Sequence, residues 1–165
     1  MAGLLDLMPK LRHLDVSNAI GVYGLDLSTV FSQMRTENYK GLVTVQAWRT
    51  HTTERGGWLG HNYPENDDIF LIVFTFFSQM ENLEEIDLGW CFHSSSPEKN
   101  SQAVQDFFST RKGLKKVAFA LCRRLSYSSL EPMTRNCPDL EQADFTGMSN
   151  VDEELIEVSE SKFTL

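Results

Sequence analysis

The sequence predicts an α/β solenoid, in which short parallel strands form a curved sheet on the concave side and helices cover the convex side. Two observations lead to this prediction. A pattern suited to a short buried strand returns five times along the 165 residues, and a segment with helical periodicity precedes each copy. Strands and helices that alternate at such a period are typical of stacked repeats, in which each unit packs mainly against its neighbours.

Each copy begins with leucine, has apolar residues at positions four and six, and usually has a small or sulfur-containing residue at position nine. The starts of the copies lie 26 to 41 residues apart, whereas a compact repeat needs about 20 to 29 residues. The longer spacings therefore contain loops, and the largest is an irregular loop at 51–66. This pattern predicts a leucine-rich-repeat solenoid of about five repeats that occupies 1–165 as a single domain, either by itself or as a fragment of a longer solenoid. The copies start at Leu11, Leu42, Leu83, Leu114 and Leu140.

The segments between the strands show apolar residues at three- and four-residue intervals, as one-sided helices require. Pro9 and Pro138 end the helices before them, because proline disfavours helical geometry in the preceding residue. Asp67-Asp68 and Ser101 occupy positions expected for N-caps. The five helical segments are Leu4–Met8, Leu27–Met34, Ile69–Met80, Ala103–Phe108 and Leu130–Cys137.

Side chains alternate along a strand, so positions one, four, six and nine of each copy should point into the core. The positions between them should point onto the concave face and form rows, because neighbouring strands lie about 4.8 Å apart. The central row is expected to contain Asp15, Gln46, Asp87, Ala118 and Asp144, the flanking rows include Trp48, Glu85 and Lys116, and Trp90 lies at the rim.

The cysteine-marked copies also resemble a known family. Cys91 ends copy three in Leu83–Cys91 (LEEIDLGWC), Cys122 begins the phrase CRRLSYSSL after the fourth strand, and Asn136–Leu140 (NCPDL) closes a helix. These features resemble the cysteine-containing leucine-rich repeats of F-box proteins, the substrate receptors of cullin-based ubiquitin ligases. The resemblance covers residues 80–150 well, 1–50 loosely and 51–66 not at all. It implies a domain that binds substrate for ubiquitin-dependent protein catabolism. No F-box motif occurs here, so ligase subunits would bind through regions absent from this chain.

The composition limits the classes of partner. Fifteen basic and 23 acidic residues give a net charge of −8, whereas a nucleic-acid surface needs clustered lysine and arginine. The longest apolar stretch, 69–77, is well short of the roughly 20 residues that a membrane helix needs. We recognise no secretory leader, and three cysteines without disulfide-like spacing suit a reducing compartment. We therefore expect no nucleic acid partner, no membrane span, and a cytoplasmic or nuclear location.

No motif predicts catalysis or a cofactor, since the chain lacks a nucleophile elbow, a His-Glu-x-x-His pair and a glycine-rich phosphate loop. Cys91 and Cys122 could form a redox or metal pair in adjacent repeats, but no histidine or Cys-x-x-Cys spacing accompanies them. We interpret them as structural residues that donate a weak S–H bond to a turn carbonyl. His51, His61 and Asp67-Asp68 could surround a divalent ion, but a solvated loop fits their spacing better. The sequence predicts no enzyme and no metal.

The concave face carries the functional prediction. Tryptophan and arginine dominate binding hot spots, and carboxylates steer and select a partner. We expect a protein-binding module that takes a basic or amphipathic segment, although a merely solvated polar face would have similar residues. The alternative is a structural subunit, in which the apolar run at 69–77 and the uncapped ends pack into a larger complex rather than between this chain's own repeats. The expected contact residues are Asp15, Gln46, Trp48, Glu85, Asp87, Trp90, Lys116 and Asp144.

Overall fold

The computed structural model describes residues 7–17, 31, 34–47, 68–89, 97–122 and 125–148. Within these ranges short strands alternate with helices, and all five strands lie inside the copies of the repeated pattern. The α/β class predicted from the sequence is therefore confirmed. In chain order the elements are β1 (His13–Asp15), α1 (Thr36–Lys40), β2 (Thr44–Gln46), α2 (Asp68–Ser78), β3 (Glu85–Asp87), α3 (Pro97–Thr110), β4 (Lys116–Ala118), α4 (Tyr127–Asn136) and β5 (Gln142–Asp144).

The strands form one five-stranded parallel sheet whose order follows the chain, β1-β2-β3-β4-β5. Equivalent positions of the five copies pair without slippage, so that Leu14, Val45, Ile86, Val117 and Ala143 form one line across the sheet. Parallel neighbours need a crossover connection, and each of these connections contains one of the described helices. Since such crossovers are right-handed, a sheet in simple chain order carries its connecting helices on one face.

The core lies between the sheet and these helices. Position four is buried in β1 to β4, and the position-six residues Val16, Ala47, Leu88 and Phe119 are buried as well. The Phe119 ring lies 6.4 Å from the Phe74 ring of α2 and 6.2 Å from the Phe108 ring of α3, centroid to centroid. Both helices therefore pack on the face to which positions four and six point.

Three side chains of the apolar run at 69–77 belong to this core. Val73, Phe74 and Phe77 are at most 1% exposed, and the Phe77 ring contacts Phe31 and Phe107. These three side chains are thus buried within this chain, whereas Thr75 is exposed and Phe76 is only partly buried. The side chains of 69–72 lie outside the described residues.

Several helix boundaries differ from the sequence prediction, and the largest differences occur in three places. Helix α3 begins at Pro97, so Ser101 is not its N-cap but an internal residue. Proline suits the first helical turn because a backbone N–H at that position would have no acceptor within the helix. Leu7 and Met8 belong to no helix and are exposed, while 4–6 lie outside the described residues. The five-residue helix α1 (Thr36–Lys40) was not predicted, since one helical turn is too short to show apolar periodicity.

Two buried thiols and one buried guanidinium connect neighbouring repeats. The Cys122 thiol donates to the Leu88 carbonyl at 3.4 Å and is buried, which confirms the structural interpretation of this cysteine; Cys91 lies outside the described residues. The Cys137 thiol donates to the Arg111 carbonyl at 3.5 Å, and burial raises its pKa to about 11. The Arg111 guanidinium donates to the carbonyls of Phe77 and Met80 at the end of α2.

Candidate binding surface

The sheet face opposite the helices carries polar side chains, and we call it the open face. Its residues are those at positions three and five of each copy, which alternate with the buried position four. Among these residues only Thr44 is buried. The open face consists of His13, Asp15, Thr44, Gln46, Glu85, Asp87, Lys116, Ala118, Gln142 and Asp144.

The strand register aligns position five of all five copies in one row. Asp15 pairs with Gln46, Gln46 with Asp87, Asp87 with Ala118, and Ala118 with Asp144. We call this line the acidic row, because aspartates occupy its two ends and its centre. With strands about 4.8 Å apart, the row extends roughly 19 Å across the sheet.

Each aspartate of the acidic row also holds the turn that follows its strand. One carboxylate oxygen accepts a hydrogen bond from the backbone N–H two residues later: Asp15 from Ser17 at 2.8 Å, Asp87 from Gly89 at 3.1 Å, and Asp144 from Thr146 at 2.9 Å. This Asx turn is a common local role of aspartate. The sequence pattern alone does not reveal this role, because it does not show where each three-residue strand ends.

The three carboxylates also interact electrostatically across the sheet. The pKa of Asp87 is raised above its usual value, mainly because the side chain is partly buried, and also because Asp144 and Asp15 repel its negative charge. The hydrogen bond from Gly89 acts in the opposite direction, but it does not offset these effects. Within the described parts of the chain, none of the three aspartates forms an ion pair.

The neighbouring row contains groups that are already partnered. Lys116 lies 3.8 Å from the Glu85 carboxylate, nitrogen to oxygen, so these two expected contact residues form an ion pair with each other. His13 Nδ1 lies 3.0 Å from the Thr44 hydroxyl oxygen. The cationic side chain of Lys116 is therefore matched by Glu85, whereas the acidic row has no described cation in contact with it.

Other expected features lie outside this surface or outside the described residues. Trp48, Trp90 and the 51–66 loop with His51 and His61 fall in the parts of the chain that the structure does not describe. Among the residues that it does describe, no three His, Cys, Asp or Glu side chains are placed to hold a metal ion. None of the described helices is long and apolar enough to cross a membrane.

An open cavity of about 290 Å³ lies beside the N-terminal ends of β1 to β3. Val43 and Leu83 supply its apolar side chains, and Arg12, Glu81 and Glu84 supply charged ones. The Arg12 guanidinium donates to the Gly41 carbonyl at 2.8 Å. Its charged side chains are of both signs and it opens widely to solvent, so this depression favours neither a cationic nor an anionic ligand.

No protein-family model matches this chain, and no curated protein is significantly similar to it in sequence.

Proposed function

We propose that this chain is a non-catalytic protein-interaction module, built as a leucine-rich-repeat solenoid of about five repeats, and that its partner binds the open face. One observation carries the proposal. Parallel sheets are normally covered by helices on both faces, whereas the described helices of this chain pack on one face and leave polar side chains on the other. Five copies stacked in register, in chain order, support the repeat architecture, and repeat solenoids use such extended surfaces to bind partners.

The size and chemistry of the acidic row suit a basic or amphipathic protein segment. A row of roughly 19 Å matches a helix of about 13 residues, since a helix rises 1.5 Å per residue, or a shorter extended peptide. Carboxylates at both ends and at the centre would steer a positively charged segment and exclude a negatively charged one.

The resemblance of repeats three to five to F-box repeats supports a more specific version. In this version the module selects substrates for a cullin-type ubiquitin ligase in the cytoplasm or nucleus, while other subunits transfer ubiquitin. Affinity capture of the full-length gene product, followed by quantitative mass spectrometry, tests it through recovery of a cullin and its adaptor. Capture of substrate-like partners without any cullin subunit would reject the ligase version and leave the interaction module standing.

The structural-subunit alternative depended on the apolar run at 69–77 and on the uncapped ends. Val73, Phe74 and Phe77 are buried in this chain's own core, so these side chains are not available to another subunit. We therefore place the interaction module first.

A steric block on the open face tests the proposal directly. Ala118 lies at the end of β4, is partly exposed and points away from the helices, so Ala118→Trp should cover the acidic row without changing the net charge. We expect captured partners to fall at least about tenfold, as for loss of a binding hot spot. Ser109→Trp, on the exposed side of α3, is the matched control and should capture normally. Normal capture by a folded Ala118→Trp variant would contradict the proposal.

A further inference from the structure

We propose that the open face selects its partner by a lysine or arginine side chain that lies across Ala118 and contacts the carboxylates of Asp87 and Asp144 together. The occupant is thus a cationic protein segment. The inference rests on the proposed function, because it names the chemistry of the partner on that same face.

The register creates the space for such a side chain. Asp87, Ala118 and Asp144 are direct neighbours on β3, β4 and β5, so a methyl group stands between two carboxylates that are two strand spacings apart, about 10 Å. Farther along the chain from β4 the next outward residue is Ala120, again small and partly exposed. A long side chain can therefore lie flat on β4. A guanidinium at its end has N–H donors on both sides and can donate to a carboxylate on each side.

The negative charge of these aspartates is not required by the turns that they hold. Each Asx turn uses one carboxylate oxygen as an acceptor, and an asparagine oxygen at the same position would accept the same bond. Ionisation of Asp87 is instead disfavoured by partial burial and by repulsion from Asp15 and Asp144. A cation from a partner would offset this repulsion on binding, whereas an uncharged partner would not.

Charge complementarity also decides between the possible occupants. A second copy of the chain, docked through the same face, would bring one acidic row against another. A phosphate-bearing ligand would meet the same repulsion. On the neighbouring row Lys116 is already matched by Glu85 at 3.8 Å. Among the described residues of the open face, the unmatched charge is therefore negative and lies on the acidic row.

Peptide selection tests this inference and does not require the partner to be identified first. The whole chain would be immobilised and used to select from a phage library of random nonapeptides. The double variant Asp87→Asn/Asp144→Asn, which keeps both Asx acceptors, would be compared with Asp106→Asn/Asp139→Asn, which removes two exposed aspartates elsewhere. Near-ultraviolet circular dichroism would establish that all three proteins are folded.

We expect the peptides selected by the unchanged chain to be enriched in arginine and lysine relative to the unselected library. A synthetic copy of the most frequent peptide should bind the Asp87→Asn/Asp144→Asn variant about tenfold more weakly, since each exposed ion pair contributes a factor of roughly three to five. It should bind the control double variant equally well.

Three outcomes would overturn the inference: an empty selection, selected peptides without cationic enrichment, or peptides that bind the Asp87→Asn/Asp144→Asn variant as tightly as the unchanged chain. The Ala118→Trp variant separates this failure from failure of the proposed function. If Ala118→Trp still abolishes capture of protein partners, the open face binds them by other chemistry. If Ala118→Trp captures normally, both proposals fall.

Discussion

Asp87→Asn should slightly stabilise the isolated chain, although it changes the central residue of the proposed binding surface. The asparagine oxygen can accept the Gly89 N–H bond, now 3.1 Å long, in place of the carboxylate. The substitution removes a partly buried negative charge that Asp15 and Asp144 repel. The turn should therefore persist while the electrostatic cost of the folded state falls.

The size of this gain follows from the spacing of the acidic row. Asp15 and Asp144 each lie two strands from Asp87, about 10 Å away. Two unit charges at that distance repel by about 0.4 kcal/mol in water and up to about 1.7 kcal/mol at an effective dielectric of 20. Salt at 0.15 M reduces these values to roughly a third, and Asp87 is only partly buried, so the lower values apply. Including the desolvation that is relieved, we expect about 0.5 kcal/mol, or a melting temperature higher by about 1 to 2 °C.

The gain should depend on pH in a defined direction. Because the folded-state pKa of Asp87 is raised, ionisation costs the folded chain more than the unfolded chain. This cost is absent below the unfolded pKa of about 3.9, and it develops as pH rises through the folded pKa. The advantage of Asp87→Asn should therefore be full at pH 7 and vanish near pH 3.

Urea unfolding at pH 7 and pH 3, at low and high salt, measures the difference in free energy of unfolding between Asp87→Asn and the unchanged chain. Asp106→Asn on the exposed side of α3 is the control and should change the free energy of unfolding by less than about 0.5 kcal/mol. A loss of about 1 kcal/mol or more in Asp87→Asn at pH 7 would refute the reasoning, because it would mean that the charge itself stabilises the fold.

Three further predictions concern the structural contacts. Arg111→Ala should lower the free energy of unfolding in urea by about 3 kcal/mol, because it removes two charged hydrogen bonds and a contact with the Phe107 ring. The exposed Arg135→Ala control should change it by less than about 0.5 kcal/mol, and equal effects of the two variants would contradict the stabilising role of these Arg111 contacts. The Cys137 thiol, with a pKa of about 11, should react with iodoacetamide at pH 8 about a hundredfold more slowly in the folded chain than in urea, as read by mass spectrometry; equal rates would contradict its burial. Gly147→Ala should cost about 1 to 2 kcal/mol in thermal unfolding, because φ is 73° and the new Cβ would lie 2.5 Å from Leu121 Cδ2; an unchanged melting temperature would contradict this strain.

The strands were predictable because the apolar pattern alone fixes which side chains face the core. Leucine at position one and apolar residues at positions four and six recur in register, and pairing without slippage follows once these faces are buried. The boundaries of the helices were less predictable. Helix α3 begins at Pro97, four residues before Ser101. The sequence pattern did not reveal this start, because the polar first turn adds no apolar periodicity.

The row of residues at position five was predictable from strand alternation, but the local role of its aspartates was not. The Asx turns of Asp15, Asp87 and Asp144 depend on where each strand ends, and the sequence pattern does not mark the end of a three-residue strand. The pairing of Glu85 with Lys116 was likewise missed, because it requires neighbouring strands to be compared with each other rather than read one at a time.

Carboxyl labelling of the partner-bound chain tests the central claim most directly. Water-soluble carbodiimide with glycine ethyl ester modifies exposed carboxylates, and mass spectrometry reports the extent at each residue. With a captured partner in place, Asp87 and Asp144 should lose most of their labelling, while Asp106 on α3 should keep its own. Equal labelling of Asp87 and Asp144 in the free and bound chain would contradict binding at the open face.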